Sequence, residues 1–170
     1  MSQDEKQLLE ALRRAIAAEH EGYGFYLMAA RSTQDEQGRT VFQALAEEEL
    51  QHAAYLKAQY RSLAETGRVD AQVRLGRPHA VAADSPIFSP ALRARIGDAH
   101  FEMSALGVGV HLEQSAIEFY RAQAQQAADP AVRGFFEELA EWERGHHEAL
   151  LAQQRALQDD YWSHNGFAPF

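Results

Sequence analysis

LAEEELQH, residues 45–52, and LAEWERGH, residues 139–146, share a Glu-x-x-His spacing and align when the sequence is slid against itself by 94 residues. Outward from these stretches, residues 11–59 lie against 105–153 without a gap. Identical pairs include Leu12/Leu106, Glu19/Glu113, Phe25/Phe119, Tyr26/Tyr120, Asp35/Asp129, Phe42/Phe136, Glu49/Glu143, His52/His146 and Leu56/Leu150. Shared helical periodicity and abundant alanine could align a few of these. They would not align a glutamate, a tyrosine and a Glu-x-x-His together. The chain therefore reads as one structural unit used twice.

Each unit reads as a helical hairpin. Alanine, leucine, glutamate and glutamine are good helix formers, and of five prolines none falls in 3–30 or 40–77. The first helix is expected over about 4–31, with Ser2 as N-cap, and the second over about 39–65. Between them lies SerThrGlnAspGluGlnGly, rich in turn residues. The third helix is expected over about 104–127. Asp129 followed by Pro130 fits an N-cap and first turn, so the fourth starts there and reaches about 157. Residues 66–103 hold Pro78, Pro86 and Pro90 and suit a long crossover between the second and third helices, with a short helix near 91–96. The expectation is one all-α domain: hairpin 4–65, crossover 66–103, hairpin 104–157, and an aromatic tail 158–170. That tail, with Trp162, Phe167 and Phe170, reads as a cap on the bundle or on a partner subunit.

Residues three, four and seven apart share a helix face. Around Glu49 and His52 that face carries Phe42, Leu45, Ala46, Ala53 and Leu56; around Glu143 and His146 it carries Phe136, Leu139, Ala140 and Leu150. Glu19 sits among Leu12, Ala15, Ile16, Gly22 and Tyr26, and Glu113 among Leu106, Gly109, Val110, Ala116, Ile117 and Tyr120. All four glutamates thus point into the core. Buried, unpaired carboxylates cost several kcal/mol each, and two divalent cations would neutralise four of them. A single Glu-x-x-His is a weak signal, since both residues are common on solvated faces; its duplication on apolar stripes is strong. Carboxylate and imidazole in this ratio suit two iron ions, with manganese or zinc as substitutes. One glutamate from each of two helices and Glu-x-x-His from each of the other two is the pattern of di-iron carboxylate bundles. The expected metal ligands, and so the catalytic groups, are Glu19, Glu49, His52, Glu113, Glu143 and His146.

Neighbouring residues are read more blandly. His147 matches Ala53 in the repeat and is expected to flank the site; His20 and His111 are expected at the surface. Glu47 and Glu141 stand about 200° around the helix from the ligand glutamates, toward solvent. Tyr26 and Tyr120, two turns from Glu19 and Glu113, are either ordinary core tyrosines or hydrogen-bond partners of the ligand carboxylates.

At AAEHEGYGFYLMAA, LAEEELQH, HLEQSAIEFY and LAEWERGH the sequence resembles the four metal-binding helices of the rubrerythrin branch of the ferritin-like superfamily, over about residues 5–157. The resemblance implies a ferritin-like four-helix bundle with a di-iron site that reacts with peroxide or dioxygen, in a homodimer or larger assembly. It implies the same six ligands. Two departures stand out. Rubrerythrins proper carry a rubredoxin domain whose iron needs four cysteines, and this sequence has none. They also carry an additional glutamate three residues after the third-helix ligand, where this chain has Ala116, with Gly22 as its counterpart. The expected site is therefore the symmetric six-ligand kind.

Charge and composition narrow the rest. A net charge of -9 argues against nucleic acid and anionic membrane as partners. No apolar stretch approaches the ~20 residues of a membrane span. The start, MSQDEKQ, is unlike a signal peptide, so a cytoplasmic location is expected. Without cysteine, thiolate metal sites are excluded. The leading expectation is an oxidoreductase that reduces peroxide or dioxygen with electrons from bound Fe(II), re-reduced by an external electron donor. The alternatives are a ferroxidase or iron-handling protein, and a bundle that uses metal only for stability.

Overall fold

The computed structural model describes residues 3–76 and 86–166. Its long helices are α1 (Gln3–Ser32), α2 (Glu36–Thr66), α4 (His100–Gln126) and α5 (Pro130–His164). Between α2 and α4 lie the short α3 (Pro90–Arg93) and a 3-10 turn, Ile96–Asp98. The described residues contain no strand. Short turns join α1 to α2 and α4 to α5, so each pair packs antiparallel along its length. The all-α bundle of two hairpins and one crossover is the expected one.

The repeat appears first in the helix starts. Asp35 accepts a hydrogen bond from Gly38 N at 2.9 Å, and its mate Asp129 accepts one from Ala131 N at 2.8 Å. Each satisfies an amide of the first turn that has no partner within its helix. The cap at Asp35 begins α2 at Glu36, three residues earlier than turn composition suggests. The same carboxylate receives Ser89 N at 3.1 Å and the Ser89 hydroxyl, so it also pins the crossover. These bonds outweigh desolvation and hold Asp35 below the usual carboxylate range. A side chain on Gly38 would collide with Phe88, its Cβ lying 2.5 Å from a ring carbon, so only glycine admits the crossover this close.

The other boundaries shift for local reasons. α2 closes at Gly67, whose φ of 73° lets its amide return to Leu63 O at 2.9 Å. α4 starts four residues before the expected Ser104, and Glu102 in its first turn takes a hydrogen bond from Thr33 at 2.7 Å. The short helix expected at 91–96 is α3, capped by Ser89, with the 3-10 turn beyond it. The expected end of the last helix at 157 is too early. No glycine or proline falls between Leu157 and Gly166, so α5 runs on to His164 and absorbs much of the tail. Trp162 lies on that helix; Ser2, Pro78, Phe167 and Phe170 lie outside the described residues.

The extension is attached to the bundle. Tyr161 packs against the buried cluster that includes Leu157, and Arg93 Nε meets Asp160 at 2.5 Å. That ion pair is partly exposed and contributes at most about 1 kcal/mol, so the apolar packing dominates. A chain ending at Leu157 is expected to lose about 1–3 kcal/mol, read as a lower melting temperature by circular dichroism. An unchanged melting temperature would mean that the last turns of α5 do not contribute.

The core is divided. One apolar cluster holds Tyr26, Phe42, Leu106 and Leu150. The other holds Tyr120, Phe136, Leu12 and Leu56, the repeat mates of those residues. Tyr26 stacks on Phe42 with centroids 6.4 Å apart, and Tyr120 on Phe136 with centroids 6.2 Å apart. Polar side chains occupy the region between the two clusters.

Candidate metal centre

Four helices supply that polar region: Glu19 from α1, Glu49 and His52 from α2, Glu113 from α4, Glu143 and His146 from α5. Each of the six is buried, none more than 5 % exposed. They form two overlapping groups, Glu19/Glu49/His52/Glu143 and Glu49/Glu113/Glu143/His146. Within each group, one oxygen or nitrogen from every residue lies within 4.8 Å of the others. Glu49 and Glu143 belong to both, so the two Glu-x-x-His glutamates sit centrally and Glu19 and Glu113 at the two ends. The structure thus brings together all six residues singled out in the sequence.

Both imidazoles turn Nδ1 inward. His52 Nδ1 lies 2.9 Å from Glu143 Oε1 and 3.4 Å from Glu19 Oε2. His146 Nδ1 lies 3.4 Å from Glu143 Oε2, 3.6 Å from Glu49 Oε1 and 3.8 Å from Glu113 Oε2. The rings are roughly parallel, with centroids 5.7 Å apart. Among the described residues, the buried side-chain atoms without a hydrogen-bond partner all belong to this cluster: Glu19 Oε2, Glu49 Oε1, both Glu143 oxygens, both His52 nitrogens and His146 Nδ1. Buried polar atoms are ordinarily satisfied. Orphans this concentrated, all but one of them atoms facing the shared space, fit metal ions as their missing partners.

Without metal the cluster balances its charge through protons. Burial, then repulsion from Glu143, Glu113 and Glu19, drives Glu49 well above the usual carboxylate range. Burial followed by Glu143 pushes Glu113 up to about 7. Burial also works against an ionised Glu143, but His52 and His146 on either side outweigh it and hold its carboxyl below the usual range. Burial would likewise neutralise His52, yet Glu143 and Glu19 raise it to about 10. His146 is raised well above its ordinary value against the same desolvation, by Glu113, Glu143 and Glu48. The metal-free centre thus favours an anionic Glu143 between two protonated imidazoles, with Glu49 and Glu113 shifted toward their protonated forms.

The tyrosines reach across the bundle. Tyr26 of the first hairpin donates to Glu113 Oε1 of the second, and Tyr120 donates to Glu19 Oε1. Of the two readings left open for them, hydrogen bonding to the end glutamates is the one observed. Burial, reinforced by these glutamates, raises both hydroxyls well above their ordinary range and keeps them donors. The other neighbours lie where expected. His20 and His111 are exposed, and His147 is half-buried outside both groups. Glu47 is exposed, and Glu141 faces solvent, where it pairs with Arg144.

Sequence reading missed two residues. Glu48 is 1 % exposed, and its Oε2 lies 2.5 Å from His146 Nε2. Trp142, the repeat mate of Glu48, meets His52 edge-on, with centroids 5.2 Å apart and planes at 83°. Glu48 stands four residues before His52, a spacing that could have flagged it as inward-facing. Nothing local shows that it serves the histidine of the opposite hairpin.

Gly22, at the position matching Ala116, lies so close to the centre that a Cβ there would be 2.8 Å from Glu49 Oε2. Small residues on α1 and α4, among them Ala15, Ala18, Gly22 and Ala116, leave a cavity of about 340 Å³ that reaches Glu19, Glu49 and Glu113 from the surface. Among the described residues, no helix is long and apolar enough to cross a membrane.

A family model described as Rubrerythrin matches residues 10–86 and 104–165. The gap between the matched segments covers the later part of the crossover and the first turn of α4. No curated protein and no solved structure gives a match.

Proposed function

The chain belongs to the rubrerythrin family, and from that premise we propose that it is a di-iron oxidoreductase that reduces peroxide or dioxygen. The observation that carries this reading is the pair of overlapping Glu/His groups, with their unpartnered oxygens and nitrogens turned toward one another. Glu19, Glu49, His52 and Glu143 would hold one ion and Glu49, Glu113, Glu143 and His146 the other, with Glu49 and Glu143 shared. Two ferrous ions there would supply the two electrons that peroxide takes up, with two protons, on its way to two waters.

The chain's own groups prepare the site for that chemistry. Glu143, fixed between the two histidines, keeps its negative charge where cations must enter. Tyr26 and Tyr120 hold the end carboxylates Glu113 and Glu19 by one oxygen each and leave the other oxygen inward. The apolar cavity between α1 and α4 is wide enough for a small oxidant. Away from that cavity the surrounding core excludes bulk water, which strengthens the charge interactions there. We further propose that the protein works as a homodimer or larger assembly and is re-reduced by an external electron donor.

Anaerobic protein loaded with Fe(II) and mixed with hydrogen peroxide tests this reading. Iron oxidation followed by absorbance should consume one peroxide for every two Fe(II), and the Fe(III) should remain bound through a desalting column. Accumulation of iron as mineral, well beyond two ions per chain, would support the ferroxidase and iron-handling alternative instead. Metal binding with neither result would leave a purely structural role.

A further inference from the structure

The internal repeat makes the two halves of the centre nearly interchangeable, and one pair breaks the match beside the imidazoles. At position 48 the chain has Glu, and at the equivalent position 142 it has Trp. Glu48 crosses between hairpins and meets the outer nitrogen of His146, Nε2, at 2.5 Å. Trp142 crosses in the opposite sense and meets the His52 ring in a T-shaped contact. His52 Nε2 is buried and has no hydrogen-bond partner among the described residues. Building on the two-ion reading above, we propose that this substitution makes the two metal positions inequivalent: the ion on His146 is firmly held, and the ion on His52 is exchangeable.

The position of the proton on each ring sets the difference. A metal on the inward Nδ1 requires a lone pair there, which places the ring proton on Nε2. On His146 that N–H donates to the Glu48 carboxylate. The bond fixes the tautomer, locks the ring orientation and makes Nδ1 a more basic donor. Loss of such a partner typically costs about 10- to 100-fold in metal affinity. On His52 the same N–H has no carboxylate partner among the described residues, and the ring packed against this imidazole is the indole of Trp142. On that outer side its ring is held by packing alone, and its Nδ1 is the weaker donor. Glu48 and Trp142 are thus positioning residues that act through the histidines, and the remaining ligands are matched across the repeat.

The test reads where metal goes. Metal-free protein receives one equivalent of Mn(II) per chain without oxygen, and anomalous diffraction measures occupancy at the His146 and His52 positions separately. Occupancy should favour the His146 position by about 10-fold or more. Glu48→Gln, which keeps the shape and removes the charge, should bring the two occupancies toward equality by weakening the His146 position alone. Trp142→Glu should approach equality from the other side, by strengthening the His52 position, and it carries the test should Glu48→Gln fail to fold. Equal division in the unaltered protein would overturn the proposal. So would a variant that lowers both positions together or leaves the ratio unchanged. Manganese at neither position would overturn the two-metal reading itself, an outcome distinct from equal division between two real sites.

Discussion

Anaerobic Mn(II) or Fe(II) should raise the melting temperature of the metal-free protein by roughly 6–16 °C near neutral pH, and the gain should shrink toward pH 5. An ion that binds the folded chain alone, at 100–1,000 times its dissociation constant, stabilises it by about 3–4 kcal/mol. For a protein of this size each kcal/mol corresponds to about 2–4 °C. The pH dependence follows from the protons that metal must displace. Glu113 titrates near 7 in the fold, against about 4.5 unfolded. Its contribution to metal-free stability is present at acidic pH and is lost as pH rises from about 4.5 through 7. His52, raised to about 10, contributes fully below about 6.5 and loses that contribution as pH rises through 10. Glu143 has the opposite sign: its depressed value contributes above about 4.5 and is lost on acidification.

Between pH 5 and 9 the cluster therefore makes the metal-free fold progressively less stable, while loss of the same protons favours metal. Melting curves with and without metal should diverge as pH rises. Curves that coincide at every pH would show that no ion binds this cluster. Calorimetry in buffers of different ionisation enthalpy should also detect proton release on loading at neutral pH, since Glu49, His52 and His146 are also raised and must give up protons to coordinate.

Glu143→Gln and Glu49→Gln should have the same effect on metal and different effects on the metal-free fold. Both residues belong to both ligand groups, so either change should abolish tight binding of two ions. Glu143 is the anion between two imidazolium rings. Neutralising it strands two buried cations, at a cost of about 3–5 kcal/mol. Burial and three neighbouring carboxylates favour the protonated form of Glu49 in the metal-free protein, so its amide analogue should shift stability by no more than about 1 kcal/mol. Denaturant unfolding of the metal-free variants separates the two, and titration with Mn(II) reads the metal. Equal destabilisation by both changes would contradict the charge arrangement. Two ions bound with unaltered affinity in either variant would contradict the ligand assignment.

The sequence carried much of this because helical periodicity is local. Residues seven, four and three apart share a face whatever the rest of the chain does, so Glu49 and His52 declared their burial through Phe42, Leu45 and Leu56. The repeat then doubled the signal and paired Glu19 with Glu113. Helix ends were less legible. Asp35 could be read as a turn residue or as a cap, and the choice rested on Ser89, 54 residues away, as well as on Gly38 next to it. The end of α5 was misplaced because aromatic, aperiodic residues past Leu157 gave no stripe, although no breaker intervened before Gly166.

The helices, their inward faces and the six side chains that meet were legible in the residues alone. They were so because each of those is set by spacing along one helix or by identity between the two halves. How the halves interlock emerged from the packed fold. It sent Tyr26 to Glu113 and Tyr120 to Glu19, set Glu48 against His146 and Trp142 against His52, and left Glu143 charged between two histidines. Apart from Glu143 and His146, three residues apart on α5, those relations join residues from different hairpins at distances of a few ångströms. No periodicity along a single helix encodes them, because they depend on how one hairpin's face is seated on the other.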